Sequence, residues 1–272
     1  MEKLDFFIDK AKRANERYIA DSHYHNAYEI YYLVSGTRRY LVNHTIYDIK
    51  KDDMILIPKG TIHRTTSLQK HTHTRFLINF SDEFVSSICN EMGKGAIEKV
   101  FEVTKISVPE SRREYVLGLF ERMKEENEIS SADGYSQLLI KNYLSELFVF
   151  INRYNKKASP EIEIPEEKIQ KSAKFIYENY DKDITLADVA SYVYMSESYF
   201  SKKFKRETGL KFSEYLTNVR IKKADEMLLE TQLPISEIAQ KCGFRESNYF
   251  GDVFKKLKGI SPNKYRKFKG KI

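Results

Sequence analysis

Residues 235–266 read ISEIAQKCGFRESNYFGDVFKKLKGISPNKYR, a spacing that describes a helix, a tight turn, a second helix and a short closing helix. Ile235, Ile238 and Ala239 recur at helical intervals as one apolar face. Gly243 ends that helix where a left-handed backbone is required, and Phe244 fills the corner. Tyr249, Phe250, Val253, Phe254 and Leu257 follow every three to four residues, which predicts the buried face of the second helix. Ser247, Asn248, Gly251, Asp252, Lys255 and Lys256 are left for the other face. Gly259 stops the helix, and Ser261-Pro262 opens the next with Pro in its first turn. A short polar helix with a buried back and a cationic end suits the DNA major groove, which admits one α-helix.

The pattern occurs twice. Ala187-Asp188-Val189-Ala190 lies forty-nine positions before Ser236-Glu237-Ile238-Ala239. Beyond the turn, Tyr199-Phe200, Phe204-Lys205, Gly209 and Tyr215 precede Tyr249-Phe250, Phe254-Lys255, Gly259 and Tyr265 by fifty. One residue inserted at the second turn accounts for the change of offset. The second copy's Ile238-Ala239, Gly243-Phe244, Tyr249-Phe250, Phe254-Lys255 and Gly259-x-Ser261-Pro262-x-x-Tyr265-Arg266 resemble the DNA-binding domain of the AraC/XylS family of bacterial transcription regulators. The resemblance covers roughly residues 166–272. Thr185-x-x-Asp188 predicts a capping box at the first unit, Ser196 a cap on its second helix, and Phe212–Glu230 a long helix joining the two units.

Charge supports the same division. The net charge of +7 sits wholly in residues 166–272, which hold 22 basic and 15 acidic residues, while the first 165 balance at 24 of each. Excess cation beside paired recognition helices is what phosphate binding requires. A chain of 272 residues is long enough for two cores. Its two cysteines, Cys89 and Cys242, suggest neither a metal site nor a redox pair. No signal peptide or long apolar run is present, so a soluble cytoplasmic protein with no membrane partner is expected.

The first eighty residues alternate with period two. Strands are predicted at 28–34, 38–42, 45–49, 53–57, 63–66 and 75–80, separated by Ser35-Gly36, Asn43-His44, Lys50–Asp52 and Pro58-Lys59-Gly60. Short, closely spaced strands argue a small barrel or sandwich. All six histidines lie here: His23, His25, His44, His63, His71 and His73. His23-x-His25-x-x-x-Glu29 followed by Gly36, and Pro58-x-Gly60-x-x-His63, resemble the two motifs of the cupin superfamily. Asp52 stands where the second motif usually has Gly, and Ser67 where it usually has Asn. His44, His71 and His73 fall at turns or in a polar run and are expected in solvent.

Helical spacing begins at Ser81, with helices predicted at 81–91, 109–128 and 134–154. Ile140, Leu144, Leu147, Ile151 and Tyr154 form an a/d seam. Such a seam packs on the barrel or on a second copy of itself. Residues 155–167, NKKASPEIEIPEE, are polar with Pro160 and Pro165, which bar a helix and mark a linker. The expected organisation is therefore a cupin-like effector-binding domain over 1–105, a helical dimerisation segment over 106–155, a linker over 156–165 and a double helix-turn-helix domain over 166–272. The fold class is two-domain α+β: a cupin-like β-barrel with a helical segment, then an all-α domain of two helix-turn-helix units.

The family resemblance implies base-edge contacts at Ser198, Ser201 and Lys202 in the first unit. In the second it implies Asn248 and Asp252, with Ser247 and Gly251 beside them. Lys donates to guanine, Asn pairs with adenine and Asp accepts from cytosine. Lys203, Lys205, Arg206, Lys255, Lys256, Lys258, Lys264 and Arg266 are expected to neutralise phosphates. The inward parity of the strands makes His23, His25, Glu29, Tyr31, Arg38, Tyr40 and His63 candidate effector-pocket residues. Tyr rings stack on sugars, and Arg or Glu holds hydroxyls or carboxylates, so a sugar or small acid is expected. No cofactor is expected. A divalent metal would take His23, His25, Glu29 and His63, a sound donor set.

The expected function is a non-enzymatic, ligand-responsive activator, binding promoter DNA as a homodimer and contacting RNA polymerase. The alternative is a metal-dependent cupin enzyme, a dioxygenase or isomerase, fused to a DNA-binding domain. That alternative explains the histidines but not the duplicated helical half.

Overall fold

Two facing sheets carry the first unit, Met1–Pro165, and helices alone, among the described residues, carry the second, Glu166–Ile272. The computed structural model describes residues 5–13, 27–67, 72–129, 134–155 and 167–269. The expected linker at 156–165 lies outside the described residues.

The strands are β1 (Phe6–Arg13), β2 (Tyr28–Ser35), β3 (Thr37–Val42), β4 (Thr45–Lys50), β5 (Asp53–Ile57), β6 (His63–Ser67), β7 (His73–Phe80) and β8 (Lys105–Ser107). One sheet runs β1-β7-β2-β5-β8 and the other β4-β3-β6, so two separate sheets stand where a closed barrel was expected. Six strands fall where the turn chemistry predicts them. β1 and β8 are additional: β1 begins with alternating Phe6 and Ile8 but turns charged after Ile8, and β8 has three residues. Both are edge strands, whose composition is a weak signal.

β2 shows how the layers assemble. Its residues Tyr28–Leu33 are all buried, because both of its faces are covered. One face sends Ile30 and Tyr32 into a core shared with four helices: α1 (Asp82–Met92), α2 (Ala96–Val100), α3 (Arg113–Ile129) and α4 (Ser136–Asn155). Tyr32 stacks on Phe120 of α3, with centroids 5.0 Å apart. The other face sends Tyr31 and Leu33 against Tyr40 and Val42 of β3, Ile49 of β4, and Ile55 and Ile57 of β5. Ser81 caps α1 by accepting from the Phe84 N–H at 3.1 Å.

Two sequence features resolve here. Asp52, at the position expected for Gly, has φ 69°, a left-handed conformation that Asp tolerates better than most residues. Its carboxylate accepts from the Tyr32 hydroxyl at 2.9 Å and pairs with Arg113 at 2.9 Å, tying the turn to α3. The α4 seam is spent inside the unit. Ile140, Leu144, Leu147 and Ile151 are buried in the core shared with the sheet, and Tyr154 packs on its edge. Those residues are unavailable to a second copy.

The second unit comprises α5 (Glu167–Glu178), α6 (Leu186–Tyr192), α7 (Glu197–Thr208), α8 (Phe212–Glu230), α9 (Ile235–Lys241), α10 (Ser247–Lys258) and α11 (Pro262–Lys269). The internal repeat is a repeat of packing. Phe200 meets Phe204 at 5.3 Å, and Phe204 meets Tyr215 edge-on at 5.5 Å. Fifty residues on, Phe250 meets Phe254 at 5.6 Å, and Phe254 meets Tyr265 edge-on at 5.4 Å. α8 runs about 28 Å. Its Ile221, Ala224 and Leu228 belong to the second of these cores.

The capping box at Thr185 is present: its hydroxyl accepts from the Asp188 N–H at 3.2 Å, and the Asp188 carboxylate accepts from the Thr185 N–H at 2.8 Å. Ser196 occupies the cap position of α7 but makes no side-chain cap hydrogen bond. Tyr249 and Leu257, expected in the core, are 57% and 43% exposed, because Phe250 and Phe254, with Val253 beside them, form the stripe that meets α8 and α11.

One left-handed position carries different residues in the two turns. Met195 donates to the Ala190 carbonyl and Phe244 to the Ala239 carbonyl, at 2.9 and 3.0 Å, so Tyr194 and Gly243 are equivalent. Tyr194 has φ 55° and Gly243 φ 80°. A non-glycine residue there costs on the order of 1 kcal/mol, and Tyr194, 89% exposed, recovers little by packing. Tyr194→Gly is expected to raise stability by about 0.5–1 kcal/mol, after allowing for the greater freedom of unfolded Gly. An unchanged or lower midpoint in urea denaturation would show that the ring contributes a contact.

Candidate functional site

The recognition helices are backed by the Phe-Phe-Tyr clusters, so their outer faces follow from helical geometry. On α7, Ser198, Lys202, Lys205 and Arg206 are exposed and Ser201 is half-buried. On α10, Ser247, Asn248, Asp252, Lys255 and Lys256 are exposed, with Gly251 half-buried between them. All six residues proposed for base contact therefore lie on the solvent side of their helices. The inserted residue in the second turn is Arg245, which forms an ion pair with Asp183.

The cations are not equivalent. Lys258, expected at phosphate, is 10% exposed and paired with Asp225 at 2.7 Å, so its charge is held inside the fold. Arg266 donates to the Leu233 carbonyl at 2.6 Å, bracing the loop before α9. Arg206 pairs with buried Glu207 at 2.7 Å but keeps its guanidinium largely exposed. Lys203 lies over the Tyr199 ring, 5.3 Å from its centroid. Lys205, Lys255, Lys256 and Lys264 are exposed. Spacing along a helix does not distinguish a solvent lysine from one that reaches a partner thirty-three residues away.

In the first unit the described candidate effector residues are buried, and Tyr31 and Tyr40 belong to the cluster between the sheets. His23 and His25 lie outside the described residues, as does His71. Glu29, Tyr31, Arg38, Tyr40 and His63 are all buried. Glu29 faces His63 across the layers, Oε2 to Nε2 at 3.6 Å, and accepts from Asn79 Nδ2 at 3.3 Å. His63 Nδ1 lies 2.9 Å from the Thr61 carbonyl oxygen. Burial opposes a proton on His63, yet the Glu29 carboxylate and the Thr61 carbonyl outweigh it and raise its pKa. Tyr31 and Tyr40 meet edge-on at 5.0 Å. Arg38 Nε donates to Thr65 Oγ1 at 3.1 Å.

Of the four candidate metal ligands, only Glu29 and His63 are described. Among the described residues, no group of three or more His, Cys, Asp or Glu is arranged to hold a metal.

Two polar residues join this region that the sequence did not assign to it. His73, expected in solvent, is 6% exposed, and Arg75 is 7% exposed. Both share the inward parity of β7 with Leu77 and Asn79, whose partners on β2 are Tyr31 and Glu29. Strand parity alone carries this signal, but the polar run before His73 obscures where β7 begins. Arg75 Nη1 pairs with Asp9 of β1 at 2.9 Å.

The family comparisons divide the chain in the same way. An AraC-like ligand binding domain matches residues 8–148, more than half the chain. A helix-turn-helix domain matches residues 189–267. The chain belongs to the AraC family of transcription regulators. The chain is 35% identical over 136 residues to the lactose operon transcription activator of Staphylococcus xylosus, covering 50% of this chain and 49% of that one. It is 32% identical over 145 residues to the regulatory protein PocR of Salmonella typhimurium, covering 51% and 48%. It is 40% identical over 93 residues to the melibiose operon regulatory protein of Escherichia coli, covering 34% and 31%. The chain thus spans about half the length, or less, of these relatives, all named as regulators. Among the described residues no helix is long and apolar enough to cross a membrane.

Proposed function

We propose that this AraC-family chain binds promoter DNA sequence-specifically and activates transcription when a small effector occupies the pocket between its N-terminal sheets. The observation that carries the reading is the duplicated Phe-Phe-Tyr packing, which presents α7 and α10 outward in the half of the chain that holds all the excess cation. α8 spaces the two readers for successive major grooves on one face of the duplex, about 34 Å apart. Ser198, Ser201 and Lys202 read one half-site, and Ser247, Asn248 and Asp252 the other. Lys205, Arg206, Lys255, Lys256 and Lys264 supply phosphate contacts.

The regulator acts in the cytoplasm as a homodimer that contacts RNA polymerase. With the α4 seam buried in its own unit, the dimer contact falls to other surfaces. An effector shifts such an equilibrium only by binding one state more tightly than the other.

Asn248→Ala is expected to cost about 1–3 kcal/mol of affinity for the cognate site and to relax preference at one base pair. Lys256→Ala is expected to weaken all sequences alike and to lower the salt slope by about one unit. Titrations of both variants on cognate and scrambled duplexes over a range of salt check this. Equal behaviour of the two variants would remove the division between base reader and phosphate contact.

A further inference from the structure

The cluster around His73 is built for charge. Arg38 and Arg75 come from facing sheets, Arg38 on β3 and Arg75 on β7, and each is 7% exposed. Arg13 pairs with His73 in the β1–β7 register, bringing a third cation to the same end. Among the described residues, Asp9 holds one edge of Arg75, Arg38 Nε donates to Thr65 Oγ1, and Glu29 faces His63 and Asn79. Among the described residues, the Tyr31 hydroxyl and His73 Nδ1 are buried with no hydrogen-bond partner. Tyr31 is 3% exposed and His73 6%. Unmet polar atoms at that depth are costly unless something else satisfies them.

We propose that the effector is a small anion, held by the Arg38 and Arg75 guanidiniums with the Tyr31 hydroxyl and His73 Nδ1 as hydrogen-bonding partners. The proposal rests on the pocket reading above and narrows it from sugar or acid to acid.

The electrostatics point the same way. Burial, then the fields of Arg38, Arg75 and Arg13, push the His73 pKa down to about 4. The burial part of that shift disfavours any charge, but the arginine part reports a positive potential that favours a negative charge beside His73. Burial also lifts Tyr31 to about 12, against the pull of Arg38 and Arg75, so its hydroxyl keeps its proton and can donate. A neutral His73 can present Nδ1–H or Nδ1 according to its tautomer, and an anion selects the donor form. Guanidiniums match carboxylate and phosphate oxygens in bidentate geometry. Beyond the charged end, Tyr40, Val42, Ile49, Ile55 and Ile57 line the interior, which suits an apolar body on the acid.

The test is thermal unfolding of the full chain at constant ionic strength with formate, benzoate, citrate and inorganic phosphate, against glucose and lactose. At least one anion is expected to raise the melting temperature in a saturable way, and the sugars are not. Comparison of carboxylates with phosphate identifies the source of the charge. Tyr31→Phe removes only an oxygen, so it keeps the packing and is expected to weaken binding about tenfold. Arg38→Gln and Arg75→Gln are expected to abolish the shift, and Arg75→Lys covers the case in which loss of the Asp9 pair unfolds β1. Saturable shifts by the sugars alone, no anion shift in wild type, or an anion shift retained in Tyr31→Phe and both Gln variants would each overturn the proposal. DNA binding measured on the same preparations separates the two readings. Intact promoter binding without an anion effect rejects only the anion, whereas loss of specific binding by the wild type rejects the regulator reading.

Discussion

Gly243→Ala is expected to unfold the second helix-turn-helix and to abolish specific DNA binding. Gly243 sits at φ 80°, where a side chain costs on the order of 1 kcal/mol or more. Space adds to this. A Cβ at this position would lie 2.8 Å from the Tyr180 carbonyl oxygen, 2.9 Å from that of Asp181 and 3.0 Å from Arg220 Nε. These neighbours are fixed, since Arg220 itself donates to the Tyr180 carbonyl at 2.7 Å and to that of Lys182 at 2.8 Å. The turn is thereby clamped between α8 and the loop after α5. Relief requires backbone movement, adding about 1–3 kcal/mol of overpacking. The total is on the order of 3 kcal/mol or more, a large part of the stability of a small domain. Gly259→Ala is the control: it has φ 78° but, among the described residues, nothing within 4 Å of its Cβ position, so it carries only the backbone term. Urea denaturation of both variants, with binding to the cognate duplex, checks the contrast. Equal losses at the two glycines would mean that the clamp at the turn has no energetic weight.

Phe254→Ala should cost about 3–5 kcal/mol through the cavity it leaves. Phe254 is fully buried between Phe250 and Tyr265, and its removal takes away the ring that joins α10 to α11. Phe204 holds the same place in the first unit, between Phe200 and Tyr215, so Phe204→Ala should cost a similar amount. The effect on DNA binding divides the two. α8 contributes buried residues to the core of the second unit and also packs on α7. If α8 carries stability between the units, either variant abolishes binding to both half-sites. Footprinting that retained the first half-site in Phe254→Ala would show that the readers fold independently.

The helical half was legible because its signals are local. Gly243, Gly259 and the Thr185–Asp188 capping box mark helix ends within a few residues, and the Phe250–Phe254 pair declares its buried face through i,i+4 spacing. The reading weakened where a helix surface meets something distant. Tyr249 and Leu257 share the apolar pattern of α10 but lie beside the contact stripe. Lys258 looks like its neighbours Lys255 and Lys256 until Asp225 of α8 is placed against it.

In the sheet half, the strands could be placed from their turns, but their surroundings could not. Alternation along Tyr28–Ser35 separates Glu29 and Tyr31 from Ile30 and Tyr32 without stating what covers each side. His73 adjoins a polar run in the sequence, yet it pairs with Arg13 in the β1–β7 register and is buried. The seam of Ile140, Leu144, Leu147 and Ile151 fitted a second copy as well as it fitted the sheet.

By itself, then, the sequence determined two helix-turn-helix units, their outward faces and the charge that sits with them. Periodicity, capping and turn chemistry act over distances of three or four residues and survive in a single chain. The tertiary structure alone decided that α4 is spent inside its own unit, that Lys258 is held by Asp225, and that Arg38, Arg75, His73 and Tyr31 are all buried. Those outcomes depend on strands and helices tens of residues apart, whose register no local pattern encodes.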